Sequence, residues 1–290
     1  MYFLKKYIVL LIIFSTILNV QYSNAQQTYT ISNYTVNDGL AQSTVYSTCQ
    51  DSRGFLWFAT YGGGVSKFDG VKFETFTTKD GLPSNKIYCI TEDSKGNMWI
   101  GGREGLTIYD GYKFQNFSDT NELSSNNIRC IKQGDGDDVW IATSGGGIMK
   151  FNGESFLKYN TDNGLLSNEV YDIEVLNNGD VLLATKKGVN LFNGKRFTIF
   201  DSKNIHGNRS IRCVEEIGEN EIWYGAYNGG VCKVINGKHS CFDLNNNVKN
   251  VMSILKSKNG DVWIGTFGEG VFCATYNMIK SPVFLCEICE

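Results

Sequence analysis

The stretch that decides the fold is residues 87–117, IYCITEDSKGNMWIGGREGLTIYDGYKFQNF, in which short β-rich runs alternate with turn residues. A run over 87–91 ends in a turn around Gly96, and a run over 98–101 ends in a turn around Gly105. The run over 106–109 ends at Asp110-Gly111, a dipeptide that favours the positive φ angles of a two-residue β-hairpin. Residues 112–117 form a fourth run, so the stretch predicts four short antiparallel strands.

This pattern recurs along the chain at intervals of about 41 residues, marked by Trp57, Trp99, Trp140, Trp223 and Trp263. The double interval after Trp140 contains one substituted unit, because VLLAT at 181–185 aligns with VWIAT at 139–143 and places Leu182 at the Trp position. Six units of four strands predict an all-β fold, a six-bladed β-propeller of four-stranded antiparallel blades. The chain shows no apolar period of 3.6 residues, which argues against a helical solenoid.

The way the ring closes can also be predicted. Residues 29–35 resemble the fourth strand of a unit, as residues 73–77 do, and both lead into an Asp-Gly-Leu turn. The last unit has three clear strands and then loses the pattern. We therefore expect the N-terminal strand to complete the sixth blade, which would remove two exposed sheet edges. The predicted propeller spans 26–273 and is followed by an irregular tail at 274–290.

The first 25 residues have the pattern of a secretory signal peptide. Lys5 and Lys6 precede an apolar run at 7–18, and Ser23-Asn24-Ala25 offers small residues for cleavage after Ala25. Twelve residues make only about 18 Å of helix, less than the roughly 30 Å of a bilayer core, although an uncleaved anchor is the alternative. We expect a periplasmic or secreted protein without a later membrane span.

Composition narrows the possible partners and cofactors. The net charge is −3 and no block of Lys or Arg stands out, so nucleic acid is not expected as a partner. Cys89, Cys130 and Cys213 occupy equivalent positions, which favours packing on a strand over a disulfide scaffold. The pair Cys286 and Cys289 has no second pair, and the two His lie apart from any acidic cluster. No metal and no cofactor is predicted.

The Asp-Ser-x-Gly turns at 51–54 and 93–96 have a structural explanation. An Asp side chain hydrogen-bonds the backbone of its own turn, so these residues are predicted to stabilise hairpins and not to bind calcium.

Two series of positions vary in residue type while the surrounding framework repeats. The first series lies four residues after each Trp position and holds Tyr61, Arg103, Ser144, Lys186, Tyr227 and Phe267. The second lies at the start of each innermost strand and holds Tyr46, Tyr88, Arg129, Tyr171, Arg212 and Met252. Aromatic rings stack on the apolar faces of sugars or bases, and Arg or Lys donates hydrogen bonds to hydroxyls or carboxylates. The two series are therefore the predicted ligand-binding residues, with packing in the core as the alternative, above all for the second series.

The repeated signature is Gly-Leu-Pro-Ser-Asn at 81–85, followed by DSKGNMWIGG at 93–102 and again by SKNGDVWIGT at 257–266. It resembles the repeat of the two-component regulator propeller family over about residues 28–273. The resemblance implies the periplasmic sensor of a hybrid two-component system, which senses carbohydrate fragments and signals as a dimer. Such proteins usually continue into a β-sandwich, a membrane helix and a histidine kinase. The present sequence contains none of these, so we expect either a fragment or a free-standing propeller.

Binding is favoured over catalysis by the distribution of polar residues. A glycosidase needs two carboxylates aimed at one bond, and here the acidic residues fall mainly in turns that repeat from unit to unit. No Gly-x-Ser-x-Gly nucleophile motif is present. We therefore expect no enzyme but a binding protein for an oligosaccharide or another small ligand. A protein partner or a homodimer is the first alternative, and a propeller glycosidase or lyase is the second.

Overall fold

The computed structural model describes residues 32–117, 122–200, 210–242, 250–275 and 278–279. Between Tyr34 and the end of the described chain lie six four-stranded antiparallel sheets. In each sheet the strands follow one another in sequence order, so every blade is a meander. The predicted all-β, six-bladed propeller is confirmed. The signal-peptide prediction and the Cys286–Cys289 pair lie outside the described residues, within which no helix is long and apolar enough to cross a membrane.

The strand bounds follow the predicted units closely. The first three blades consist of β1 (Val45–Gln50), β2 (Leu56–Thr60), β3 (Gly64–Phe68) and β4 (Phe73–Phe76), then β5 (Ile87–Glu92), β6 (Met98–Gly102), β7 (Gly105–Tyr109) and β8 (Phe114–Phe117), then β9 (Ile128–Gln133), β10 (Val139–Thr143), β11 (Ile148–Phe151) and β12 (Phe156–Tyr159). The last three consist of β13 (Val170–Val175), β14 (Val181–Thr185), β15 (Gly188–Phe192) and β16 (Phe197–Ile199), then β17 (Ile211–Gly218), β18 (Glu221–Ala226), β19 (Gly230–Ile235) and β20 (Lys238–Phe242), then β21 (Val251–Lys256), β22 (Val262–Thr266), β23 (Val271–Thr275) and β24 (Met278–Ile279).

The sixth blade differs from the prediction in its fourth strand. This strand is β24, which pairs with β23 through Ala274 and Thr275, so the strand pattern runs beyond the predicted boundary at residue 273. Residues 29–31 of the predicted closing strand lie outside the described residues, and residues 32–35 form no strand. Within the described structure, closure by the N-terminal strand is therefore replaced by a short hairpin within the sixth unit. The weak strand pattern after residue 273 did not reveal this two-residue strand.

The seams between successive blades are filled by the side chain at the Trp position of the second strand. Trp57 packs against Ile87, Ile90 and Ile100 of the next blade, and Trp99 packs in the same way against the third blade. Trp140, Leu182 and Trp223 occupy the next three seams. Because each of these side chains is at most 6% exposed, the stack of blades depends on them.

The indoles of Trp57 and Trp99 also tie the seam to a turn. Trp57 Nε1 donates to Asp51 Oδ2 at 2.9 Å, while Asp51 Oδ1 accepts from the N–H groups of Arg53 and Phe55. Burial by itself would raise the pKa of Asp51, but the hydrogen bonds from Trp57 and Phe55 and the charge of Arg53 outweigh it and lower the pKa. Asp93 makes the same contacts. The predicted structural role of these turns is confirmed.

The face of the first blade that points away from the second blade is packed less tightly than the equivalent face of the second blade. Val45 is half-buried and Thr48 is exposed, whereas the equivalent residues of the second blade, Ile87 and Ile90, are 2% and 5% exposed. Leu255 on the opposite flank of the sixth blade is 61% exposed. The described residues thus build five apolar cores between blades, one at each seam from the first blade to the sixth.

A charged cluster joins the innermost strands of the third to sixth blades. Lys132 Nζ lies 3.0 Å from Glu174 Oε2, and Asp172 accepts hydrogen bonds from Cys130 Sγ and from Val214 N. Glu215 Oε1 accepts from Lys256 N at 3.0 Å. Burial, reinforced by the charge of Glu174, raises the pKa of Glu215 to about 7.

One disulfide corrects the interpretation of the cysteines. Cys232 and Cys241 lie opposite each other on β19 and β20, with their Cα atoms 4.0 Å apart, and are bonded. The hairpin at Asn236-Gly237 sets the register that places the two Cys opposite each other, and this pairing was not predicted. Cys89 and Cys213 are free and buried, as predicted, and Cys130 is free and half-buried.

We predict that Trp99→Ala lowers the free energy of unfolding by about 3–5 kcal/mol, because it removes the side chain that fills one seam. For a chain of this size, the melting temperature should fall by roughly 6–20 °C. Differential scanning calorimetry beside the surface variant Lys72→Ala measures this. A shift no larger than that of Lys72→Ala would contradict the role of Trp99 in the seam.

The disulfide should contribute about 2–3 kcal/mol, the value expected for closing a short loop. Reduction of the wild-type protein should therefore lower its melting temperature by several degrees. The double variant Cys232→Ala/Cys241→Ala should melt at the same temperature with and without reductant. Wild-type protein that melts identically in both conditions would show that the bond is absent or contributes nothing.

Glu215 predicts a pH dependence of stability. The pKa of Glu215 in the folded protein lies above the ordinary value for Glu in the unfolded chain. Its stabilising contribution to the free energy of unfolding is therefore fully present below about pH 4.3 and is lost as the pH rises through 7. Glu215→Gln should therefore stabilise the protein relative to wild type more at pH 8 than at pH 5. Urea unfolding at both pH values tests this, with the exposed Glu154→Gln as control. An equal effect at pH 5 and pH 8 would refute the assignment.

Candidate functional site

The two predicted series of residues lie at the same end of every blade. Each first-series residue directly follows the second strand, and each second-series residue lies at the start of the first strand. Because these strands are antiparallel, the end of one is beside the start of the other. We call the surface formed by both series the ring face.

A repeated backbone hydrogen bond fixes the two series to each other. The N–H of the first-series residue donates to the carbonyl of the residue two positions before the second-series residue. The six bonds run from Tyr61 to Thr44, Arg103 to Lys86, Ser144 to Asn127, Lys186 to Glu169, Tyr227 to Ser210 and Phe267 to Asn250, at 2.9–3.1 Å. This backbone hydrogen bond is therefore the same in all six blades, while the side chains that it positions differ.

In the first three blades the side chains of both series form one aromatic cluster. The ring centroids of Tyr46 and Tyr61 are 5.5 Å apart, and Tyr46 is 5.5 Å from Tyr88. Tyr61 and Tyr88 stack at 6.3 Å. The guanidinium of Arg129 lies 4.8 Å from the Tyr88 centroid, and Lys86 Nζ lies 5.6 Å from that of Tyr61.

A second cluster joins the fourth and fifth blades. The guanidinium of Arg212 lies 4.1 Å from the centroid of Tyr171 and 5.3 Å from that of Tyr227. Tyr171 Oη donates to Glu169 Oε2 at 3.3 Å, and Lys186 Nζ lies 3.4 Å from Glu169 Oε1. The structure thus brings residues of both series together in two aromatic and cationic clusters.

The clusters are open to solvent. Tyr46 is 54% exposed and Tyr227 is 43% exposed, while Tyr88, Arg129, Tyr171 and Arg212 are half-buried. Arg103 and Lys186 are exposed, and so are Met252 and Phe267 on the sixth blade. Packing in the core, the alternative raised for the second series, therefore does not describe Tyr46, and it describes the half-buried members only in part.

Several buried polar atoms of the ring face have no hydrogen-bond partner within the described structure. They are Ser124 Oγ, Asn127 Oδ1, Arg129 Nε, Ser210 Oγ and Arg212 Nε. Buried polar groups in native proteins are nearly always hydrogen-bonded to protein, water or ligand. These atoms therefore provide donors and acceptors beside the aromatic side chains. Their role in ligand binding stays a prediction.

Lys86 and Glu169 contact the ring face but were not among the predicted site residues. They belong to a third series, two residues before the second, which also varies from unit to unit: Thr44, Lys86, Asn127, Glu169, Ser210 and Asn250. Variation within an otherwise repeated framework was the signal that could have identified them.

Comparison with known proteins agrees with this architecture. Residues 39–62, 81–104 and 244–268 match the family described as two component regulator propeller. No curated protein matches the chain significantly.

Two solved structures similar to this chain come from B. thetaiotaomicron. The extracellular domain of the hybrid two component system BT3049 is 26% identical, with a TM-score of 0.70, over 81% of this chain and 34% of that one. The extracellular domain of the hybrid two component system BT4673 is 21% identical, with a TM-score of 0.71, over 87% and 38%. The chain thus spans little more than a third of these domains.

Virginiamycin B lyase from Staphylococcus aureus, crystallised with quinupristin, also shares the fold. It is 15% identical with a TM-score of 0.69, over 86% of this chain and 85% of that one. At this level of identity the likeness concerns the fold alone. The family match over these three segments and the similarity to the BT3049 domain confirm the resemblance drawn from the sequence to the two component regulator propeller repeat.

Proposed function

We propose that this chain is an extracytoplasmic sensor propeller that binds a carbohydrate fragment on the ring face. The observation that carries the proposal is the coincidence of exposed aromatic rings and unpartnered buried polar atoms on one surface. Tyr46, Tyr61 and Tyr227 supply flat apolar surfaces for sugar rings. Arg129 and Arg212 supply donors for hydroxyl or carboxylate groups.

The relatives support the sensing part of this proposal. Both B. thetaiotaomicron structures are extracellular domains of hybrid two component systems. The sensor domain of such a system must change its conformation or association when it binds ligand. Signalling requires a ligand that binds one state of the sensor more tightly than the other. In this proposal the propeller provides the binding step, and a histidine kinase elsewhere in the system provides the output.

Binding is favoured over catalysis because Glu169, the one carboxylate found within the clusters, is already engaged by neighbouring side chains. Glu169 is held by Lys186 and by the hydroxyl of Tyr171. A glycosidase requires an acid and a second carboxylate about 5–10 Å apart across the bond to be cleaved. In our proposal Glu169 instead orients Tyr171 and Lys186 for binding.

A protein partner is the second candidate, favoured by apolar exposure on the sixth blade. Phe267 is 71% exposed, Leu255 is 61% exposed and Met252 is 41% exposed. Side chains of this size in contact with solvent are typical of association surfaces. A change in molar mass on light scattering with protein concentration, abolished by Leu255→Lys, would favour self-association through this blade.

The carbohydrate proposal predicts a loss of affinity in Tyr227→Ala. A thermal-shift screen of the purified protein against neutral and uronate-containing oligosaccharides identifies a ligand, since saturation at about 100 times Kd adds about 2.7 kcal/mol of stability. Calorimetric titration with that ligand should then show Tyr227→Ala weakened about tenfold, which corresponds to the loss of one stacked ring.

The matched control is Tyr112→Ala, because Tyr112 is 96% exposed in a hairpin at the other end of its blade. It should bind like the wild type. Equal affinity of Tyr227→Ala and wild type would exclude the ring face, and an absence of any sugar hit would exclude the carbohydrate class tested.

A further inference from the structure

The seam between the fourth and fifth blades contains a groove that the proposed function does not use. Its volume is about 980 Å³. Leu176, Leu191, Phe200, Ile222 and Val234 form its apolar lining. In both of these blades, the turn between the first and second strands contributes to the rim of the groove. This part of the groove therefore lies at the end away from the ring face.

The equivalent seam between the second and third blades shows why the groove exists. There the space is divided into two smaller pockets of about 200 and 440 Å³. Trp99 and Phe151 contact each other across that seam, with ring centroids 5.3 Å apart. In the repeat, the positions of these two rings are held by Leu182 and Val234. The seam between the fourth and fifth blades, which we call the fourth seam, therefore lacks both aromatic rings of its counterpart.

The charged groups of the groove are mainly acidic. Asp180, Glu216 and Glu219 line it together with four asparagines and His239, and none of its described lining residues is Lys or Arg. Asn177 donates from its backbone N and its Nδ2 to Glu216 Oε2 at 2.9 and 2.7 Å, which fixes one of these carboxylates. A positively charged group is therefore favoured beside the apolar lining.

In other seams, an apolar lining with a carboxylate at its edge surrounds an indole ring. The indole N–H of Trp57, Trp99 and Trp223 donates to a carboxylate at the edge of the seam, at 2.9, 2.8 and 2.7 Å. A flat ring within the seam and an N–H group at an acidic edge are thus the arrangement that this repeat stabilises. In the fourth blade Leu176 stands at the position of Asp93 and Asp180 stands at that of Glu221, so a carboxylate remains at the edge of the seam while the ring is missing.

We propose that the groove binds an aromatic amine. The flat ring enters beside Val234, where the other seam has Phe151, and packs against Leu191, while the ammonium group faces Glu216 and Glu219. This site is separate from the ring face and takes a ligand of different chemistry, so it stands or fails independently of carbohydrate binding.

Three indole derivatives that differ in charge test the proposal by isothermal titration calorimetry with the full chain. Tryptamine is a cation, tryptophol is neutral and indole-3-acetate is an anion. We expect tryptamine to bind most tightly, about tenfold more tightly than tryptophol, a factor that corresponds to 1.4 kcal/mol. Indole-3-acetate should bind most weakly. Equal affinities for the three probes, or no binding of tryptamine, would overturn the proposal.

Two variants restore the aromatic residues that the equivalent seam has at these positions and so fill the groove. Leu182→Trp and Val234→Phe each return an aromatic ring to the seam, so each should weaken tryptamine at least severalfold. Glu219→Gln alters an exposed rim residue without touching the core and should reduce the preference for tryptamine over tryptophol. It keeps the test decisive if the two core variants fail to fold.

Tyr61→Ala on the ring face is the control and should leave tryptamine affinity unchanged. Loss of tryptamine binding in Tyr61→Ala, with full binding retained in Glu219→Gln and the seam variants, would place the amine on the ring face and refute the groove as its site.

Discussion

The packing of one large side chain into each seam is the interaction on which the rest of the structure depends. Neighbouring blades are joined mainly by side chains, because the ladder hydrogen bonds of each sheet stay within its blade and only turn residues such as Gly62 and Gly64 donate backbone N–H groups to the next blade. Trp57 illustrates the arrangement: its ring fills the apolar space beside Ile87 and Ile100, and its N–H is held by Asp51. Burial of the ring and satisfaction of its polar atom are achieved together, so the seam is both stable and fixed in orientation.

The ring face follows from this fixed framework. Since the seams hold the blades and the backbone bond from each first-series residue holds the two inner strands, side chains on the ring face can change without altering the fold. Tyr46, Tyr88 and Arg129 thus occupy equivalent positions yet differ in chemistry. Polar atoms left without partners, such as Arg129 Nε, are tolerated where the framework is stable enough to offset them. The framework therefore provides stability, and the variable positions provide specificity.

The sequence predicted the parts of the structure that repeat and failed where a feature occurs once. The strands, the seam role of Trp99 and the position of the two series all followed from the period of the repeat. The strand β24 was missed because two residues carry too little pattern to be recognised. The Cys232–Cys241 bond was within reach, since the Asn236-Gly237 hairpin fixes which residues face each other. The contact of Lys132 with Glu174 was not, because it depends on the distance between different blades.

Departures from the repeat have different consequences at different places. At the ring face, replacing Tyr by Arg preserves the packing and adds charge, as the contact of Arg212 with Tyr171 shows. In a seam, replacing Trp by Leu removes volume that the neighbouring blade does not recover, because the inner-strand spacing is set by the remaining seams. The space persists as a groove lined by Leu191 and Val234 and bordered by carboxylates such as Glu216. In our proposal the two smaller residues, Leu182 and Val234, together leave space for a ligand, provided that the neighbouring seams keep the geometry of the ring.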